Sequence, residues 1–193
     1  MLLAFIKYLN SLKKKKCKVY FAADGADELF GGYKIYENLN WKSNNLSLSP
    51  YSSVNKKILK KFKIKDKKYN QNINNFRNKV KTKYSFLKNK EEINIQTNLF
   101  CDYFIQSVKV GNACNDMIGS DNSIEIRNIF VQKDIIKEII NMPTKFKINL
   151  NNKNEFKTKI ILKKLFVKYF DKEYVFTKQG FSGFPNEINK KSI

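Results

Sequence analysis

The stretch that most constrains the chain is "CKVYFAADGADELFGGY", residues 17 to 33. Its β-branched and aromatic opening, residues 17 to 23, reads as a short buried strand. Ala22, Ala23 and Gly25 surround a bend, "ADELF" follows, and Gly31 and Gly32 come next, so the spacing predicts strand, tight turn, short helix and glycine stop. No second strand stands out in the sequence. A lone strand leaves its N–H and C=O groups unpaired unless neighbours supply a ladder.

The bend crowds Asp24, Asp27 and Glu28 into five positions of a chain whose formal net charge is +21. Two readings of this local pattern stay open. In one, Asp24 is a helix N-cap, Asp27 reaches back to it and Glu28 favours the helix dipole, with no ligand needed. In the other, free N–H groups and small residues let a phosphate approach. The carboxylates would repel that phosphate unless a divalent cation stood between, and Mg²⁺ takes one or two carboxylates together with phosphate oxygens.

Composition removes several classes of chemistry. There is no histidine, which excludes a histidine general base, a Ser-His-Asp or Cys-His nucleophile and any histidine-bound metal. Cys17, Cys101 and Cys114 are odd in number and lack close pairing, which suits a reducing compartment. The apolar opening "MLLAFI" is broken by Lys7 and Asn10, too soon for a secretory or membrane-spanning segment. A soluble, cytoplasmic protein with no membrane partner is expected. The basic excess is lysine spread along the whole chain, with Arg77 and Arg127 the two arginines. Arginine is the usual bidentate reader of bases, so the charge supports weak, salt-sensitive association and no specific nucleic-acid partner.

The 193 residues are enough for one domain with a modest core. Apolar spacing predicts an amphipathic helix over 2–12, weak helical stretches near 56–63 and 73–83, a helical face over 95–110, and a helix over 132–143 closed by Pro143. A broad stripe over 155–170 (Phe156, Ile160, Ile161, Leu165, Phe166, Tyr169) is expected to face a core. Residues 37–97, rich in Asn, Lys and Ser, read as a surface-exposed, partly mobile region, and 176–185 as a loop.

"AADGADELFGGYKIY" resembles the "SGEGADELFGGY" signature of the glutamine-hydrolysing asparagine synthetase family. Two further blocks agree in order. "NDMIGSDNSIEIRNIFVQKDIIKEIINMPTKFKI" (115–148) is similar to the family's "DRMSMAHSLEVRVPFLD…LVEFALSLP…KI", and "KTKIILKKLF…KQGFSGFP" (157–185) to its "KYILRKAL…KKGFSVP". Three ordered blocks are far more specific than one short motif. The resemblance implies an α/β fold, the C-terminal part of an adenine-nucleotide alpha-hydrolase-like (ATP pyrophosphatase) domain, mostly helical with one or few strands. Its parts would be 1–36 (helix, strand and acidic turn), 37–97 (variable) and 98–193 (helical, with the SIEIR and KQGF segments). It also implies ATP and Mg²⁺, with aspartate and glutamine-derived ammonia as substrates joined through a β-aspartyl adenylate.

Carried over by position, Asp27 matches the aspartate of the Mg²⁺–pyrophosphate site and Glu28 supports it. Asp24 stands near the acceptor, where the family more often has glutamate. Ala22, Ala23 and Gly25 match positions whose backbone approaches the adenylate. Glu125 and Arg127 match the "SLEVR" block of the substrate wall, and Lys178 matches the lysine of "KKGF", which counters phosphate charge. Where the family's glutaminase domain has its nucleophilic cysteine, at the second position, this chain has Leu2, and no "SGGLDSS" phosphate loop occurs. The chain is therefore expected to be the C-terminal portion of a synthetase domain, inactive alone or completed by a separate chain carrying that loop and the glutaminase. A non-catalytic binding or assembly remnant, and an amidotransferase acting on another carboxylate, stay open beside it.

Overall fold

The structure is a computed structural model, and it describes residues 18–37, 39–43, 66–149 and 156–172. The expected helices over 2–12 and 56–63, the loop over 176–185, Cys17 and Lys178 lie outside the described residues.

The strand before the acidic bend is β1, Val19–Ala22, and it has a partner that the sequence did not reveal. The SIEIR segment forms β2, Glu125–Asn128, parallel to β1 in the register Val19–Glu125, Tyr20–Ile126, Phe21–Arg127, Ala22–Asn128. β1 is not the buried strand expected. Its side chains alternate, and Phe21 is 67% exposed. The period-2 pleat puts Val19, Phe21, Glu125 and Arg127 on one open face, and Tyr20, Ala22, Ile126 and Asn128 on the covered one.

Helices make up the rest. The bend leads into α1, Ala26–Phe30, with Gly25 as N-cap at φ 98° and Gly31 as C-cap at φ 67°. A 3₁₀ turn, Lys34–Glu37, follows. The Lys/Asn-rich region is described over 39–43 and from 66 onward. It holds α2, Asp66–Lys83, whose Val80 joins Tyr84 and Cys101 in a buried cluster. A few apolar residues at helical spacing anchor a mostly polar helix, because tertiary burial supplies what propensity lacks.

α3, Lys90–Asp102, starts at an Asn89 cap whose side chain accepts the Glu91 N–H at 2.9 Å. It is the central element. Ile95 and Leu99 meet Tyr36, Trp41 and Ile148 in the main core. The helical face expected over 95–110 is real, but its second half is wound as a π-helix, Tyr103–Gly111. α4, Asn112–Asp121, continues from it and leads into β2. α5, Lys133–Asn141, ends before Pro143 as expected.

α6, Ile160–Tyr169, corrects the expectation for the last stripe. Ile160 is buried, but Leu165, Phe166 and Tyr169 are exposed. The described residues 161–172 group in a unit of their own. Along that helix the rings cover one another instead: Phe166 stacks on Phe170 with centroids 4.6 Å apart. No described helix is long and apolar enough to cross a membrane.

Candidate functional site

The acidic bend sits at the carboxyl end of β1, and its three carboxylates part company there. Asp24 is exposed and is not the helix cap, since Gly25 fills that position without any side-chain capping bond. Its Oδ2 instead accepts the Asn115 Nδ2–H at 2.5 Å, from α4. The π-helix makes this meeting possible. It delivers Gly111 beneath the bend, where an added Cβ would lie 3.8 Å from the Asp24 Cβ, and Asn115 follows one turn on. π-helical turns recur at functional sites because they redirect the side chains that follow. Three residues before Asn115, Asn112 accepts from Asn128 at 3.1 Å, so one face of α4 is tied to the ends of both strands.

Asp27 points the other way. Its Oδ1 meets Lys159 Nζ at 2.9 Å, with the two side chains 29% and 26% exposed. This pair lies directly over Gly32. An added Cβ there would sit 2.0 Å from Lys159 Cε and 2.1 Å from Asp27 Oδ1, so a larger residue would push the ends of these two side chains aside. Lys159 is held by its backbone too: its N–H donates to the Phe30 carbonyl at 3.1 Å, and its own φ is 50°. A non-glycine residue in the left-handed region is uncommon and often accompanies function.

Glu28 is buried and accepts a hydrogen bond from the Tyr33 hydroxyl at 2.5 Å. Burial raises its pKa above the ordinary carboxylate value, more than the Tyr33 bond lowers it. Glu28 thus fixes α1 from beneath while Asp27 stays accessible. Ala22 pairs with Asn128 in the sheet, Ala23 is exposed, and Gly25 lies under the Tyr103 ring. Tyr103 in turn donates its hydroxyl to the Phe130 carbonyl at 3.1 Å, which ties the bend to the loop after β2.

Glu125 and Arg127 point to the open face of the sheet and engage each other, Nε to Oε1 at 2.8 Å and a second nitrogen to Oε2 at 3.3 Å. Arg127 lowers the pKa of Glu125, and Glu125 raises that of Arg127. The structure brings Ala22, Ala23, Asp24, Gly25, Asp27 and Glu28 together around one bend and places Glu125 and Arg127 on the neighbouring strand. Lys178 lies outside the described residues.

Sequence reading missed Lys159 and Asn115. Both lie within the blocks quoted above, but each gains meaning only from a partner more than ninety positions away, and Lys159 is one lysine among many. The residues fit a share of a Mg²⁺ site rather than a whole one. Asp27, partly exposed over its glycine floor, can supply one carboxylate, and among the described residues no group of three or more His, Cys, Asp or Glu could hold a metal unaided.

No curated protein and no solved structure matches the chain. The asparagine synthase family model matches residues 3–191 of the 193, spanning the bend, β2 and the Lys159 segment alike. The chain that builds this acidic bend belongs to the asparagine synthase family.

Proposed function

We propose that this chain serves ATP-dependent amidation of aspartate, on an ATP pyrophosphatase-type fold, with the diphosphate of ATP seated at Asp27 and Lys159. The observation that carries the reading is the Asp27–Lys159 pair closed over Gly32 at the end of a parallel strand. It offers one carboxylate for a metal and one ammonium for phosphate oxygens at the same point. Bound Mg²⁺ would supply charge neutralisation on the diphosphate.

In the reaction, an oxygen of the aspartate side-chain carboxylate attacks the α-phosphorus of ATP. The bond from phosphorus to the α–β bridging oxygen breaks, and pyrophosphate leaves with that electron pair. Ammonia derived from glutamine then adds to the acyl carbon of the β-aspartyl adenylate, AMP departs, and nitrogen loses a proton to give asparagine. The protein's task is to hold two anions in line and offset the developing charge. Lys159 meets that charge, and the resemblance to the family assigns the same role to Lys178. Asp24, oriented by Asn115, faces the acceptor. The backbone at Ala22, Ala23 and Gly25 borders the adenylate, Glu125 and Arg127 wall the substrate, and Glu28 steadies Asp27 by anchoring α1 to Tyr33.

On this reading the triphosphate loop and the glutaminase lie outside residues 1–193, and these residues alone are expected to make no asparagine at a measurable rate. The open sheet face, with Phe21 exposed, favours an assembly role as the second reading. Calorimetric titration of magnesium pyrophosphate into the full chain separates the two. Asp27→Ala and Lys159→Met should each weaken binding by about ten- to a hundredfold, the range of a charge-assisted hydrogen bond. Absence of binding to the unaltered chain, or unchanged affinity in Asp27→Ala, overturns the catalytic reading and leaves assembly.

A further inference from the structure

Away from the bend, one group is out of place for its chemistry. Lys147 is 2% exposed, whereas lysine is almost never fully buried unless paired with an opposite charge. Its Nζ donates to Gln96 Oε1 on α3 at 2.7 Å, and Gln96 donates its Nε2–H to the Met142 carbonyl at 2.8 Å. One amide therefore clamps both ends of the 142–147 turn onto α3. Of the elements around it, α3 carries Lys90, Glu91, Glu92 and Asp102, with Glu92 accepting from Thr144 at 3.3 Å; the turn itself carries Lys145, and the segment beyond carries Lys157 and Lys159. Burial draws the pKa of Lys147 down to about 7.

From Lys147 the backbone leads straight to the site. Its carbonyl accepts the Ile160 N–H at 3.3 Å, Ile148 bridges Thr158, and the Asn149 N–H donates to Lys157 at 2.9 Å. Lys159 lies between these bonds, with its N–H on Phe30 and its ammonium on Asp27. We propose that the buried side chain of Lys147, hydrogen-bonded to Gln96, is the anchor that sets Lys159 beside Asp27, so that a proton gained there loosens this segment. The consequence for the diphosphate rests on the function proposed above. Lys147 is a positioning residue, since it acts on the site through Lys159.

The direction with pH follows from linkage. A released lysine in water titrates near about 10.4, and the anchored one at about 7. Release takes up a proton between those values, so it becomes about tenfold easier for each unit that pH falls from 10 to 7, and no easier below 7.

Trp41, the single tryptophan of the chain, packs in one buried cluster with Ile148 and reports on the fold around this turn. Urea unfolding of the full chain, followed by its fluorescence from pH 6 to 10, compares the unaltered protein with Lys147→Met. Groups common to both cancel in the comparison. The unfolding constant of the unaltered protein should fall relative to that of Lys147→Met by about tenfold per unit from pH 7 to 10, with parallel curves below 7. Parallel curves throughout overturn the proposal. Should Lys147→Met not fold, carbon NMR of labelled lysine in the unaltered chain decides: one side chain titrating near 7 is expected, and ordinary titration of all of them overturns it. In a second arm, magnesium pyrophosphate affinity should fall from pH 9 to 7 more steeply in the unaltered chain than in Lys147→Met. Equal pH dependence removes the link to Lys159. No binding by either protein counts against the proposed diphosphate site, and Lys147 is then judged by its unfolding curve.

Discussion

At the scale of the residue, neighbouring carboxylates of one short helix have opposite fates. Asp27 and Glu28 differ by a 100° step around α1, which turns one outward to Lys159 and the other inward under Tyr33. The compact acidic cluster was legible in the sequence, and so was the glycine stop at Gly31. The division of labour was not, because burial is decided by elements that arrive from far along the chain. Glu28 carries a stability consequence. Its pKa is raised in the fold, so the fold favours the protonated acid. The stability that protonation contributes is complete below the ordinary carboxylate range, and it is lost as pH rises through the folded value. Glu28→Gln keeps an acceptor for Tyr33 and removes the ionisation. Its urea midpoint should exceed that of the unaltered chain at pH 7 and approach it at pH 4. A lower midpoint at pH 7 would mean that the ionised carboxylate is what the fold prefers.

At the scale of the element, helices were easier to read than strands. The 132–143 pattern became α5 within a residue or two, since period and proline both acted locally. β2 gave no such signal: "EIRN" is a four-residue strand with two charged residues, and a strand of this kind exists through its ladder with β1. The π-helix was equally hidden, because one apolar face serves an α- and a π-winding alike over a few turns. α3 is the element on which most depends, as it meets α1, α2 and the π-helix and carries Gln96 and Asp102. Its start is local chemistry and can be tested as such. Asn89→Ala removes the acceptor of the Glu91 N–H and should destabilise the fold by about 1 kcal/mol, read as a lower urea midpoint. Asn89→Asp, which keeps the cap, should lie close to the unaltered protein. Equal midpoints for Asn89→Ala and Asn89→Asp would show that α3 is held by packing alone.

At the scale of the whole molecule, the charge of +21 asks whether nucleic acid is a partner, and the two arginines answer through their surroundings. Arg127 is forked onto Glu125. Arg77 is partly withdrawn from water, which lowers its pKa, and it sits near the buried Asp102. Neither presents the open fork that reads a guanine edge. What remains for a polyanion is a diffuse field of lysines, and such a field attracts phosphate without regard to sequence. Binding to two unrelated duplexes of equal length should therefore show the same affinity and the same steep, linear fall of log K with log salt. The Asp27–Lys159 pair lies over Gly32 within a short bond of its partner and is screened far less than the exposed lysines. Magnesium pyrophosphate binding should then outlast duplex binding as salt rises from 0.05 to about 0.5 M, where the Debye length falls to a few ångströms. A duplex preference of more than about tenfold, equivalent to one well-made base contact, would mean that a side chain of this molecule reads bases. A loss of both ligands at the same salt would place the pyrophosphate in the diffuse field rather than at the bend.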